Sequence, residues 1–113
     1  MLLSVPIRDG TENTFARQWR PAEQWIEKSG MAYTIVRSVL FIDNHYGHAE
    51  SIRNEQKFYA PVKKETKLAL VSIRDIGSAL ANAAMKTDQF RNRILLMTGP
   101  ESLSFEEVTK LYS

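Results

Sequence analysis

The chain has 113 residues, 43% hydrophobic and 25% charged, with 15 Lys and Arg against 13 Asp and Glu for a net charge of +2. That is the size of one domain with one modest core, and a composition that argues against disorder. It has no cysteine, which excludes disulfides and thiolate chemistry, and its apolar runs, such as Val39 to Ile42 and Ile94 to Met97, are far too short to cross a bilayer.

Basic residues are scattered apart from Lys63-Lys64 with Lys67, too sparse for a nucleic-acid footprint. No basic residue precedes the short apolar run of the N-terminus, as a signal peptide requires. The expectation is a cytoplasmic protein with neither nucleic-acid nor membrane partners, in keeping with the lack of cysteine.

In chain order, Met1 to Val5 is a brief apolar run closed by Pro6 and Asp9-Gly10, which suits a buried strand. Phe15, Trp19, Ala22 and Ile26 then fall on one face of a helix. Pro21 interrupts it, so the helix either kinks near 17–21 or is well formed only from there. Gly30 is a good C-terminal stop. Tyr33-Thr34-Ile35-Val36 is β-branched and aromatic without polar alternation, as in a strand covered on both faces.

From Ser38 to Lys67 the pattern weakens, and His45 to Lys57 reads as a polar loop, the kind of segment that often binds ligands. Leu68 to Val71 predicts another strand. Ser72 offers an N-cap to a helix carrying Ile76, Leu80, Ala83 and Ala84 on one stripe and ending near Lys86. Ile94 to Met97 is a strand broken by Thr98-Gly99-Pro100. Ser104 to Glu107 is a capping box, with Leu103 and Val108 as its hydrophobic staple. The order β, α, β, loop, β, α, β, α argues for a parallel sheet with helices packed on it.

Three segments carry a family resemblance: AEQWIEKSGMAYTIVRSVLFIDN, LALVSIRDIGSALANAAM and RILLMTGPESLSFEEVTKLYS. Together they resemble the NmrA-like group of atypical short-chain dehydrogenases/reductases, in the NAD(P)-binding Rossmann superfamily. The resemblance implies a partial Rossmann-like three-layer α/β fold in one domain, residues 1–113, truncated to its second half. Met1 to Val5 would be the fifth strand and Tyr33 to Arg37 the sixth. The Gly-rich first βα unit, whose backbone meets the pyrophosphate, has no counterpart, because Gly10, Gly30, Gly47, Gly77 and Gly99 never form its spacing.

The resemblance also places candidate residues. The reductases' Tyr-x-x-x-Lys aligns with Trp19 and Glu23. Indole cannot give up a proton as a phenol can, and Glu23 has the wrong charge, so no catalytic set is expected. Ser4 falls at the strand-end serine position and, with Arg37, is the candidate cofactor contact. Arg37 has two readings: pairing with a carboxylate at the sheet edge, or contact with a ligand anion. Phe41, Asn44 and Tyr46 would line the mouth of a substrate pocket beyond the strand's carboxyl end.

His45 and His48 could share a helix face. Zinc needs a third ligand, none is signalled, and no metal is expected. Glu12, Glu23 and Glu27 read as a solvated helix face. Trp19 and Trp25 read as core or interface anchors. The leading expectation is a remnant ligand-binding or regulatory module without stand-alone reductase activity. No cofactor is expected on the chain alone, NAD(P) being implied by the resemblance. The alternatives are part of an NAD(P)H-dependent oxidoreductase acting on a quinone- or carbonyl-like substrate, and a structural module. An open sheet edge predicts a homo-oligomer.

Overall fold

Thr34 to Ser38 is the centre of the molecule because its side chains are apolar or small and hydroxylated, with no charge except Arg37. In the structure, a computed structural model describing residues 1–7, 13–60 and 62–112, these five residues form strand β2 (Thr34–Ser38) between β1 (Leu2–Ser4) and β4 (Arg93–Met97). Both pairings are parallel, with Leu2 beside Ile35 and Ile35 beside Ile94. Ile35 and Val36 point to opposite faces and are 0% and 1% exposed, so β2 is covered on both sides. Each contributes about 1.5–3 kcal/mol by leaving water.

Helix α1 (Thr14–Lys28) packs on β1, and α3 (Ile73–Met85) packs on β2. The helix α1 starts where the Asn13 side chain accepts from the Ala16 N–H, and runs unbroken through Pro21, whose ring faces solvent. It stops at Ser29, and Gly30 follows with φ of 77°, a conformation glycine adopts cheaply. Its inner face differs from the predicted one. Ala16 and Glu23 are buried, Trp19, Ala22 and Ile26 are half-buried, and Phe15 and Trp25 are exposed. Trp25 is therefore no core anchor. The Asp9-Gly10 turn and Glu12 lie outside the described residues.

The segment Leu68 to Val71 forms no strand of the three-stranded sheet, although Val71 makes one parallel bridge to Phe41 beyond the end of β2. Only Lys67–Leu68 is strand (β3), and it pairs antiparallel with β5 (Leu103–Ser104). The rest of the segment spends its backbone groups elsewhere. Val71 N–H donates to Leu40, Val71 O accepts from Ile42, and Ala69 O accepts from Gly99 at 2.8 Å. Gly99 is required there: a Cβ on it would lie 1.8 Å from the Leu70 carbonyl oxygen.

The predicted loop between Ser38 and Lys67 also gains structure. Ile42–His48 is a 3₁₀ helix that continues into α2 (Ala49–Glu55). Asp43 of this segment accepts from the Ile73 N–H at 2.8 Å while Ser72 caps the Asp75 N–H, so α3 has two caps. A short helix α4 (Thr87–Phe90) precedes β4. The capping box of α5 (Phe105–Tyr112) is reciprocal, Ser104 N–H to Glu107 at 2.7 Å and Glu107 N–H to Ser104 Oγ at 3.1 Å.

The result is an open α/β fold, Rossmannoid in character, with a small cap of the 3₁₀ helix, α2, β3, β5 and α5 at the carboxyl ends of the strands. It is long, with a radius of gyration of 16.4 Å against about 13 Å for a compact domain of this length. No helix among the described residues is long and apolar enough to cross a membrane.

Candidate functional site

Two clusters of polar and aromatic groups lie near the carboxyl ends of the parallel strands, where open α/β sheets place their ligands. The first is ionic. Arg37 of β2 donates through Nε and Nη2 to the two Glu23 oxygens, at 3.0 and 2.7 Å, and through Nη1 to Ile7 O at 3.3 Å. Arg20 adds a contact to Glu23 and another to Glu27, both 3.1 Å. Burial pushes the Glu23 carboxyl up, but hydrogen bonding to Arg37, Ser4 and Arg20 outweighs it and holds the group below the ordinary carboxylate range. Ser4 is 3% exposed and lies beside this carboxylate, yet its Oγ closes no hydrogen bond of regular geometry among the described residues.

Glu23 is thus a fully buried ion-pair partner and no part of a solvated helix face. Ser4 and Arg37, the candidate cofactor contacts, converge on it, and the carboxylate pairing is the role of Arg37 that the geometry displays. Three groups that could meet a dinucleotide's phosphates are already engaged within the chain. Arg37 is engaged by Glu23 and Ile7, the Asn13 cap is closed on Ala16, and Gly99 is committed to its approach to Leu70.

The second cluster is aromatic. His45, on the 3₁₀ helix, is buried with Nδ1 2.9 Å from the Tyr112 hydroxyl of α5. Its ring meets Phe58 edge-on at 4.8 Å and lies 6.5 Å from Phe105. His48 lies 4.6 Å from the same Phe58. The two histidines do share a face, but they use it to hold an aromatic ring. Burial, with the neighbouring His48, lowers the His45 pKa, favouring a neutral imidazole. Among the described residues no three His, Cys, Asp or Glu side chains gather as a metal site would need.

Two adjoining cavities open around this cluster. One, of about 180 Å³, is lined by Phe41 and Asn44 together with His45, His48, Phe58 and Phe105. The other, of about 240 Å³, lies between Tyr46, His45 and Tyr112. The structure therefore brings Phe41 and Asn44 to one pocket and puts Tyr46 in the next, with His45 shared. Sequence reasoning missed His45, Phe58, Phe105 and Tyr112 as a unit, and the i, i+3 histidine spacing was its one signal.

Fold and clusters together define a Rossmannoid α/β chain with an aromatic pocket region beyond the ends of its strands. An NAD(P)H azoreductase of Xenophilus azovorans is 35% identical to it over 91 residues, 80% of this chain and 31% of that protein. The chain thus spans about a third of the length of the curated relative it matches. No protein-family model matches the chain.

These findings correct the family resemblance. The NmrA-like, atypical short-chain dehydrogenase/reductase and NAD(P)-binding Rossmann superfamily labels do not stand, because the relative found bears the name of an azoreductase. The physical reason is that Tyr33 to Arg37 and the capped helices suit any parallel α/β layer. They mark fold and not lineage.

Proposed function

We propose that the chain supplies the substrate side of an NAD(P)H-dependent oxidoreductase, acting on an azo, quinone- or carbonyl-like compound. The observation that carries this reading is the 35% identity to an NAD(P)H azoreductase. It favours the oxidoreductase over the remnant regulatory module. The substrate's apolar body lies against Phe41 and Phe58, with Asn44 as a hydrogen-bonding group and Tyr46 at the neighbouring mouth. The dinucleotide's phosphates are met by groups other than the described residues.

The test is titration of purified chain with azobenzene as a neutral aryl probe. Azobenzene is expected to bind, and Phe41→Ala and Asn44→Ala each to weaken it. Unchanged affinity in both variants defeats the assignment of the pocket. NADPH alone is expected to bind more weakly than about 10 μM by calorimetry, and tighter binding would contradict this assignment of the phosphates.

A second reading, a self-associating module, is favoured by one observation. Ile94 and Leu96 of β4 are 41% and 63% exposed on the face that α1 covers over β1 and β2. Parallel sheets are normally covered on both faces. A dimeric mass by light scattering at micromolar concentration, lost in Leu96→Asp, supports this reading, and a monomeric mass for the unaltered chain removes it.

A further inference from the structure

The aromatic cluster has an outer side that the substrate reading does not use. Helix α2 ends at Gln56, a non-glycine residue at φ of 55°, with its N–H returned to Ile52 O at 3.1 Å. That left-handed turn sends Lys57 and Phe58 back toward α5. Between α2 and α5 it leaves a groove of about 350 Å³, whose lining includes Ile52, Arg53, Lys57, Phe58, Thr109 and Tyr112. The volume falls in the range of small-molecule sites, roughly 300–1,000 Å³.

Its chemistry is specific in two ways. Two of its walls are aromatic, and both rings are fixed from behind. Phe58 is held by His45 and His48, and Tyr112 by its hydroxyl bond to His45. Its charged residues are both cations, and no Asp or Glu lines it. Arg53 makes no hydrogen bond or ion pair among the described residues. Lys57 reaches a carboxylate, Glu55, only at 4.0 Å with both side chains exposed, a contact worth little. An arginine without a carboxylate beside flat rings suits a ligand with a π-face and a delocalised negative charge, met by the guanidinium fork and the rings at once.

We propose that this groove is a binding site for a planar aromatic anion, an aryl carboxylate or sulfonate. Its rings contact Phe58 and Tyr112, and its charge is met by Arg53 with Lys57 at the rim. The site shares the Phe58 ring with the pocket of Phe41 and Asn44, but its cations Arg53 and Lys57 do not line that pocket, and its test is independent of that reading.

The test uses the full chain with 2-naphthoate as the probe, followed by amide NMR and calorimetry, beside the neutral methyl ester of 2-naphthoic acid and inorganic phosphate. Expected are amide shifts confined to 52–58 and 109–112 and a dissociation constant below about 1 mM. The ester and phosphate should each bind about tenfold more weakly or worse. Arg53→Gln, an exposed change that leaves the fold intact, should weaken 2-naphthoate about tenfold, and Arg53→Lys should recover only part of this. Azobenzene binding should be untouched by either. Equal binding of acid and ester, equal binding of phosphate alone, unchanged affinity in Arg53→Gln, or shifts centred outside the two segments would each overturn the proposal.

Discussion

The strand-and-helix layer and the cap are held by different physics. In the layer, a fully buried glutamate is clamped by two arginines, and Ile35 and Val36 fill the sheet on either side. In the cap, a neutral histidine gathers Phe58, from the segment after α2, and Phe105 and Tyr112, from the two ends of α5. A buried charge network tolerates no missing member, because each loss leaves an uncompensated ion. A ring cluster loses contacts one at a time, leaves cavities between its members, and can admit a ligand ring in place of a neighbour. Under the proposed function, the layer holds position and the cap binds.

That contrast breaks most sharply at Glu23. Glu23→Gln should cost about 3–5 kcal/mol, because Arg37, half-buried, is left beside a fully buried neutral amide. Urea unfolding followed by tryptophan fluorescence measures this directly, since Trp19 and Trp25 both sit on α1. Replacing both partners, Glu23→Leu with Arg37→Met, should recover most of the loss. A single-variant cost below about 1 kcal/mol would mean that the pair is solvated and the layer is not held this way.

Gly99→Ala should come next, at about 1–3 kcal/mol. The new methyl meets backbone, the Leu70 carbonyl, so the strand-end loop and the 69–71 segment must separate. Thermal unfolding gives the cost. A melting temperature equal to that of the parent would refute the close approach. Tyr112→Phe should cost about 1 kcal/mol by removing the partner of His45 Nδ1. Its effect should appear in hydrogen exchange of α5 and the 3₁₀ helix and leave β2 unchanged.

The smallest effect is the dependence on pH, and it separates the regions. The His45 pKa is lowered in the folded chain from 6.5, so below that value the unfolded chain takes up the proton first. Its contribution to the cap is complete above about pH 6.5 and falls as the pH drops toward the folded value. The Glu23 pKa is lowered from 4.5, so the layer keeps that contribution down to about pH 4.5 and loses it only below. Aromatic ring signals of the cap should therefore change at a higher pH than the tryptophan fluorescence of the layer. Coincident transitions would show a single cooperative unit.

The layer was largely legible in the sequence because its signals are local and periodic. Tyr33 to Arg37 reads as a strand, Ser72 reads as a cap, and Gly30 reads as a stop. Arg37 carried both its possible roles on its face. Glu23 was not legible as buried, since a glutamate on a helix normally faces water and only the fold reveals which side meets β2. The cap was legible only at the capping box that starts α5, and its aromatic cluster was not, because His45 and Phe58 come from segments too short or too irregular to show a period. Leu68 to Val71 misled for a related reason. Its composition suits a strand, but the approach of Gly99 and the hydrogen bonds to Leu40 and Ile42 assign its backbone elsewhere.

The central claim is that ligand binding belongs to the cap and position-holding to the ion-paired layer. One amide NMR titration of the chain with azobenzene tests it. The account predicts shifts in residues 40–48, 58 and 105, with β1, Arg37 and β4 unmoved. Shifts centred on Ser4, Arg37 and Leu96, with the cap silent, would contradict it.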